Sequence, residues 1–406
     1  MTRTRVATLA CALCAAGAAA ADTDKPAAKA PTQPAQPMQA AAPQAYQATP
    51  PVIGLGSPAV NAPGGLASAA AAPTHLIEIA GYVILQGAWI QEDPQQLSIG
   101  RNNGFTLGDA RIEITGHPIE QLWLYLSIDG AVPLRTGSEP LAGRRSVDLK
   151  DAYGVYSPGY HLRFQGGQFK APQDVEELLE ETELRFPTRS IVSDGQQVPV
   201  GYQASGLALG RQLGIAVGTD AVPLPFGAFE LQVALMNGNG ANQLVNDTAL
   251  PSVSGRAGLK ILSYAQLGFD AYYSPRGYGT QPNLFRDDLQ GIGADLTVDV
   301  KPFHALFFLQ KRTTHHLTSG APDESALGYS VEGAARLWFI EPAIRYSFLD
   351  PNDTLTTAAV SELTVALNLY APLAAARLSL AYTHRGQQPG RELHNDGLDL
   401  SAQVRF

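Results

Sequence analysis

The chain of 406 residues has only two cysteines, a small share of charged residues (16%) and no long apolar run beyond its N-terminal segment. Cys11 and Cys14 lie close to the start, so the rest of the chain carries neither a disulfide framework nor a thiol nucleophile. A helix needs about 20 consecutive apolar residues to cross a membrane, and no such run follows the N-terminal segment. The formal net charge of -9, without a basic stripe, argues against nucleic acid as a partner.

The N-terminal segment is typical of an export signal. Arg3 and Arg5 precede an apolar stretch that is too short to span a membrane, and a run of alanines ending at Ala21 forms a small-residue cleavage site. Residues 1–21 are therefore predicted to be a signal peptide that directs export through the inner membrane. Lipidation is the weaker alternative, because neither cysteine has a leucine three residues before it.

Residues 22–74 are rich in alanine, proline and glutamine and lack the large apolar side chains that could offset the entropy of ordering. The composition predicts a disordered extension that acts as a linker. Contact with the cell wall or a part in oligomerisation is the alternative. The predicted domains are thus the signal peptide, this linker, and residues 75–406.

In residues 75–406, apolar and polar side chains alternate with a period of two, in segments bounded by Gly, Pro, Asn or Asp. One segment sets Ile292, Leu296 and Val300 against Asp295 and Thr297. The candidate strands are 76–92, 104–117, 120–131, 146–157, 159–170, 203–218, 226–237, 252–262, 265–275, 288–300, 303–314, 328–338, 338–349, 359–370, 374–386 and 396–406. An even number of strands, with about 20 residues for each strand and its loop, predicts an all-β, closed antiparallel transmembrane barrel of about 16 strands.

The polar face of these strands distinguishes the barrel from its rival, a soluble all-β exported protein. It carries charged residues such as Arg111 and Glu113, and burying each in a dry core would cost several kcal/mol. Water is therefore expected on that face and lipid on the other. The last strand alternates up to Phe406, so we expect it to pair with the first strand, with Phe406 as an apolar anchor at the membrane rim.

Several stretches resemble the phosphate-selective porin O and P family in the same order along the chain. GFTLGDARIEITGHPIEQLWLYLSIDG, KDAYGVY, LRFQGGQFKAP and ELRFPTRSIV resemble its early strands and first large loop, and IEPAIRYSFLDPND, ALNLY and LSLAYTHR resemble later strands. The resemblance implies a homotrimeric, cofactor-free porin in the outer membrane of a Gram-negative bacterium. It also implies contacts with outer-membrane lipid and lipopolysaccharide, and recognition of the C-terminal strand by the barrel assembly machinery.

The resemblance places a constriction loop at residues 172–203, which are strongly acidic. We predict that Glu180, Glu183, Arg185 and Arg189 form the pore constriction. Relatives select phosphate with clustered lysines and arginines, and the acidic loop departs from that pattern. In an alternative interpretation, Val175 to Glu183 form a short helix whose acids are solvated at a mouth, while Arg185 and Arg189 turn to the pore.

Strand parity predicts a pore wall that mixes both signs of charge, so that neighbouring charges largely neutralise each other. The basic residues predicted to line the pore are Arg111, Arg163, Arg256, Lys260, Arg336, Arg345 and Arg377. The predicted function is passive diffusion of small hydrophilic solutes and ions, with anion or phosphate preference expected from the resemblance alone. A barrel transporter for a specific substrate and a barrel enzyme are the alternatives. No metal site is predicted, since His315 and His316 lack a third ligand at metal spacing.

Overall fold

The computed structural model describes residues 77–101, 103–134, 144–197, 199–243, 245–280, 283–355, 358–371, 375–387 and 392–406. The predicted signal peptide, residues 1–21, and the predicted linker, residues 22–74, lie outside the described residues. Within these ranges, no helix combines the length and the apolar character that crossing a membrane requires.

Nearly all regular structure in the described residues is β-strand. The strands are β1 (Ile77–Ile90), β2 (Gly104–Ile119), β3 (Leu122–Leu134), β4 (Arg144–Gly159), β5 (Leu162–Lys170), β6 (Gly195–Gln196), β7 (Ala204–Ser205), β8 (Arg211–Thr219), β9 (Val222–Leu224), β10 (Gly227–Met236), β11 (Ser252–Ile261), β12 (Ala265–Thr280), β13 (Asn283–Val300), β14 (Phe303–His316), β15 (Glu324–Ala335), β16 (Ile340–Asp350), β17 (Val360–Tyr370), β18 (Ala376–Gln387) and β19 (Gly397–Arg405). The two helices are α1 (Val175–Leu178) and α2 (Ile191–Asp194).

The strands form a closed antiparallel barrel. Consecutive strands of the wall pair with each other, β5 pairs with β8 across the long loop between them, and β19 pairs with β1. The short β9 and the longer β8 both pair with β10, so they share one position in the wall, which therefore has sixteen strand positions. β6 and β7 form a separate small sheet. The predicted fold, a closed barrel of about 16 strands, is confirmed.

Alternation along each strand separates an outer face from an inner face. On β13, Ile292 and Leu296 point outward and are 62% and 37% exposed, whereas Asp295 points inward and is 4% exposed. The same contrast separates Ile112 from Arg111 on β2. The outer face is apolar and the inner face mostly polar, as the period of two predicts.

The two rims of the barrel differ. Short turns join the strands at one rim, called the turn end. At the other rim, the loop end, longer loops join them, except between β12 and β13. The chain finishes at the turn end, where Gly81 and Phe406 exchange backbone N–H···O bonds of 3.0 and 3.1 Å. Gly81 permits this close approach, because a Cβ there would lie 2.6 Å from the Phe406 ring. The turn end also exposes a row of outward aromatic side chains, which includes Tyr156, Phe164, Phe226, Tyr264, Phe303, Trp338 and Phe406.

Two predicted boundaries were wrong. The strand expected at 203–218 begins at Arg211, because the residues before it belong to the long loop that enters the barrel. The loop expected at 276–287 is a paired extension of β12 and β13, in which Arg276 pairs with Asp287. Tyr278 and Phe285 stack there with ring centroids 5.4 Å apart, and this cross-strand contact favours continued pairing.

Candidate functional site: the inner loop and the channel

The loop between β5 and β8, residues 171–210 and hereafter the inner loop, enters the barrel. It carries α1, α2 and the small sheet of β6 and β7. Its entry depends on an apolar patch on an inner face that is otherwise polar. Ile191, Val192 and Leu207 of the loop pack in one buried cluster with Leu306 and Phe308 of β14. Burying these side chains stabilises the loop against the wall by roughly 1.5–3 kcal/mol for each large residue.

Polar side chains of four strands hold the segment 184–189 of the inner loop by its backbone carbonyls. The bonds are Gln86 Nε2 to Pro187 O (2.9 Å), Asn368 Nδ2 to Arg185 O (2.9 Å), Arg377 Nη1 to Leu184 O (2.5 Å), and Arg345 to Thr188 O (2.9 Å) and Arg189 O (3.2 Å). These donors lie on β1, β17, β18 and β16, so the loop is tied along one side of the lumen.

The acids of α1 bind within the loop and to the wall. Asp174 caps α1 by accepting from the backbone N–H groups of Glu176 (2.9 Å) and Glu177 (3.3 Å). The carboxylate of Glu176 accepts from Ser190 Oγ at 2.6 Å, from Ser193 Oγ at 2.8 Å and from Arg345 Nη1 at 3.1 Å. Burial, and next the charge of Glu176, raise the pKa of Asp174 to about 7. These acids therefore fix the loop's position.

The helix interpretation of Val175 to Glu183 was wrong in two respects. The helix ends at Leu178, and four of the five acids of this stretch are buried in contacts with the loop and wall instead of being solvated at a mouth, while Glu183 is half-buried. Glu180 is 6% exposed, and it accepts from Thr182 Oγ1 at 3.0 Å and Arg405 Nη2 at 3.3 Å. Burial, and next the nearby Glu113 and Glu183, raise the pKa of Glu180 to about 7.

The remaining predicted constriction residues divide between the inside of the loop and its surface. Glu183 accepts from the backbone N–H of Glu180 at 3.2 Å. Arg189 is buried: it donates to the carbonyls of Glu176 and Leu179 and to Glu181 Oε1, the last at 3.4 Å. Arg185 keeps 23% of its side chain exposed, with Nε 4.0 Å from Glu341 Oε1 on β16. Of the two arginines, only Arg185 has appreciable access to the lumen.

Most residues predicted to line the pore lie on the inner face. Arg111, Arg163, Arg256, Arg345 and Arg377 point inward and are buried. Lys260 lies on the same face near the turn end, where its Nζ is 3.2 Å from Glu230 Oε1. Arg336 lies elsewhere, in the exposed turn after β15, with its guanidinium carbon 3.2 Å from the ring centroid of Tyr370.

Charge pairing is the rule on the inner wall. Arg256 contacts Asp295 at 2.7 Å and Asp270 at 3.4 Å, and Arg385 contacts Glu362 at 2.9 Å. Arg163 is an exception, because neither of its Nη atoms has a hydrogen-bond partner among the described residues. Since opposite charges at such distances largely cancel at longer range, paired residues contribute little net field to the lumen.

A cavity of about 260 Å³ lies beside the inner loop, between its segment 187–188 and the wall formed by β1, β2 and β19. Its lining includes Gln86, Thr106, Pro187, Thr188 and Asp399, and Asp399 is the only ionisable residue among the described residues that border it. The period of two places Asp399 on the inner face of the last strand, but it gives no sign of the cavity. No spacing signal could have found it, because its walls come from three strands and a loop that are distant in sequence.

Comparison with known proteins supports the fold. No family model matches the sequence, and no curated protein matches it. The chain is similar in structure to the anion-selective porin of Comamonas acidovorans (TM-score 0.56, 13% identity), with 81% of this chain and 99% of that one covered. Salmonella typhi OmpF in complex with daunomycin (0.54, 12%) and the outer membrane channel DcaP of Acinetobacter baumannii (0.53, 13%) each cover 81% of this chain and 97% of their own.

The barrel has the fold of the outer-membrane porins. Within that fold, the inner loop packs on β14 and is bound by side chains of β1, β16, β17 and β18, and the cavity lies between its segment 187–188 and β1, β2 and β19. No group of three or more His, Cys, Asp or Glu side chains in the described part of the chain is placed to hold a metal ion. The polar groups that line the cavity are hydroxyl, amide and carboxylate groups.

Proposed function

We propose that the chain is an outer-membrane porin, a water-filled channel for passive diffusion of small hydrophilic solutes and ions. The observation that carries the proposal is the closed barrel whose outer face is apolar and whose inner face is polar and charged. Closure satisfies the backbone polar groups in lipid, and the aromatic row at the turn end suits a membrane interface. The inner loop narrows such a channel.

The proposed channel is general or weakly selective. Phosphate preference, which the sequence resemblance implies, needs clustered cations that focus anions, whereas most arginines and lysines of the wall contact carboxylates or loop carbonyls. A passive pore, not an enzyme, is the function proposed.

We further propose that the chain is exported through the inner membrane and that the barrel assembly machinery inserts it by recognising the last strand. The barrel is proposed to contact lipopolysaccharide and to form a homotrimer.

The test is conductance of the purified protein in a planar bilayer under a KCl gradient, followed by titration with phosphate. Stepwise currents with a small reversal potential and no phosphate block are expected from a general porin. A silent bilayer, with protein that still shows the heat-modifiable mobility of a folded barrel, would contradict the channel. Block by phosphate would contradict weak selectivity and support phosphate preference.

A further inference from the structure

The cavity beside the inner loop carries one charge. Asp399 lies on the inner face of β19 and borders the cavity together with the neutral side chains of Gln86, Thr106, Pro187 and Thr188. The loop packs on β14 and is bound by side chains of β16 to β18, and Gln86 of the adjoining β1 also binds it, so the cavity lies between the loop segment 187–188 and the wall strands next to β18. Asp399 therefore faces space that a small solute could enter from beside the loop.

Asp399 is also unpaired, unlike most charges on the inner face. Its side chain forms no ion pair or hydrogen bond with any residue that the structure describes. The charged groups that act on it most strongly are Arg385, Glu362 and Arg345. Arg385 donates hydrogen bonds to Glu362 at 2.9 Å and to the carbonyl of Asn395 at 2.8 Å, so its guanidinium is paired with these groups and not with Asp399.

No cation of the inner loop compensates this charge. Arg345 of β16 donates hydrogen bonds from Nη1 and Nη2 to Glu176 and to loop carbonyls. Arg189 is buried inside the loop, and Arg185 is directed at Glu341. The loop residues that border the cavity, Pro187 and Thr188, are uncharged. Among the described residues that border the cavity, Asp399 is therefore the only charged one, and Arg385, Glu362 and Arg345 are the nearest charges behind it.

Resting on the proposed channel function, we propose that Asp399 selects for charge at the constriction and forms a subsite for a cationic group, either a potassium ion or the ammonium of an amine solute. An ammonium group has three donors and no acceptor. Asp399, the hydroxyls of Thr106 and Thr188 and the amide oxygen of Gln86 supply the acceptors. Low-dielectric walls around such a site strengthen the attraction.

The test compares Asp399→Asn with wild type in the full-length protein, by reversal potential under a KCl gradient. The K⁺ over Cl⁻ permeability ratio should fall by up to about tenfold in the variant, because removal of one unit charge about 6 Å from a permeating ion in a water-like dielectric disfavours K⁺ about threefold and favours Cl⁻ about threefold. Transient current interruptions caused by added butylammonium chloride should become about threefold shorter, because only one ion is involved.

The matched control is Asp270→Asn, the same substitution on the inner face of β12. This variant also removes one negative charge, and Arg256 stays paired with Asp295 at 2.7 Å. Because β12 lies across the barrel from β19, the lost charge is far from the cavity and the permeability ratio should change much less than in Asp399→Asn. An unchanged ratio in Asp399→Asn, or equal changes in both variants, overturns the assignment while normal conductance leaves the proposed porin standing. Wild-type protein without any conductance would contradict the porin itself.

Discussion

The barrel wall and the inner loop are stabilised by different means. The wall is held by backbone hydrogen bonds that run around the closed sheet, whatever side chains the strands carry. The inner loop has little regular structure, and wall side chains such as Arg345 and Arg377 bind its carbonyls. The wall should therefore tolerate most inward substitutions, whereas the loop's position should depend on a few individual residues.

The largest expected effect is on the outer face of the wall. Leu296→Arg would place a charge against lipid, at a cost of about 2–4 kcal/mol if the position lies near the membrane midplane. We expect impaired assembly, measured as loss of heat-modifiable mobility and as a lower urea midpoint in lipid vesicles.

The control for this change is its neighbour on the same strand. Thr297→Arg puts the same side chain on the inner face, where water solvates it, and assembly should stay normal. If the two variants assembled equally well, the assignment of faces to lipid and water would be wrong.

An intermediate effect is expected where the loop meets the wall. Arg345→Met removes the donor that binds Glu176, Thr188 O and Arg189 O, and the cation that lies 4.4 Å from the Phe186 ring centroid. Leaving a buried acceptor unpaired costs about 1–3 kcal/mol, so the segment 184–189 should be held less tightly and fluctuate, while the other loop contacts remain and the barrel stays closed. Single-channel records should show larger and noisier currents with unchanged heat-modifiable mobility.

The matched variant here is Arg256→Met, because Arg256 pairs within the wall, with Asp270 and Asp295. Its channel should keep the wild-type noise. Equally noisy currents from both variants would mean that the loop does not depend on Arg345.

The smallest expected effect is on pH dependence. The pKa of Glu180 is raised to about 7 from its ordinary value of 4.5. The protonated form of Glu180 therefore stabilises the packed inner loop in full at pH values below 4.5, and this stabilisation is lost as the pH rises through 7. Ionisation adds negative charge to the lumen, so the K⁺ over Cl⁻ ratio should rise between about pH 5 and about pH 8.

Glu180→Gln removes this titration and should reduce the rise in the permeability ratio. Part of the rise should remain, because the pKa of Asp174 is also raised to about 7 and Asp174 still titrates in the variant. A rise of full size in the variant would show that Glu180 does not titrate in the conducting channel.

Sequence reasoning recovered the barrel and much of its inner surface. The period of two assigns Arg111, Asp295 and Leu296 to the correct faces, because adjacent residues of a strand always point to opposite sides. It could not assign roles within the inner loop. Arg189 was expected at the pore, but carbonyls of its own loop bind it, and these contacts follow from the fold of the loop and not from a repeat.

The sequence by itself determined the strand pattern, the closure of β19 on β1 and the polar character of the lumen, since each depends on local alternation and on neighbours along the chain. Only the tertiary structure decided which charges remain unpaired. Arg345 and Glu176 meet across 169 residues of sequence, and the cavity brings Gln86 of the first strand next to Asp399 of the last. Electrostatic pairing depends on distances in space, and these are set only when the barrel has closed and the loop has folded into it.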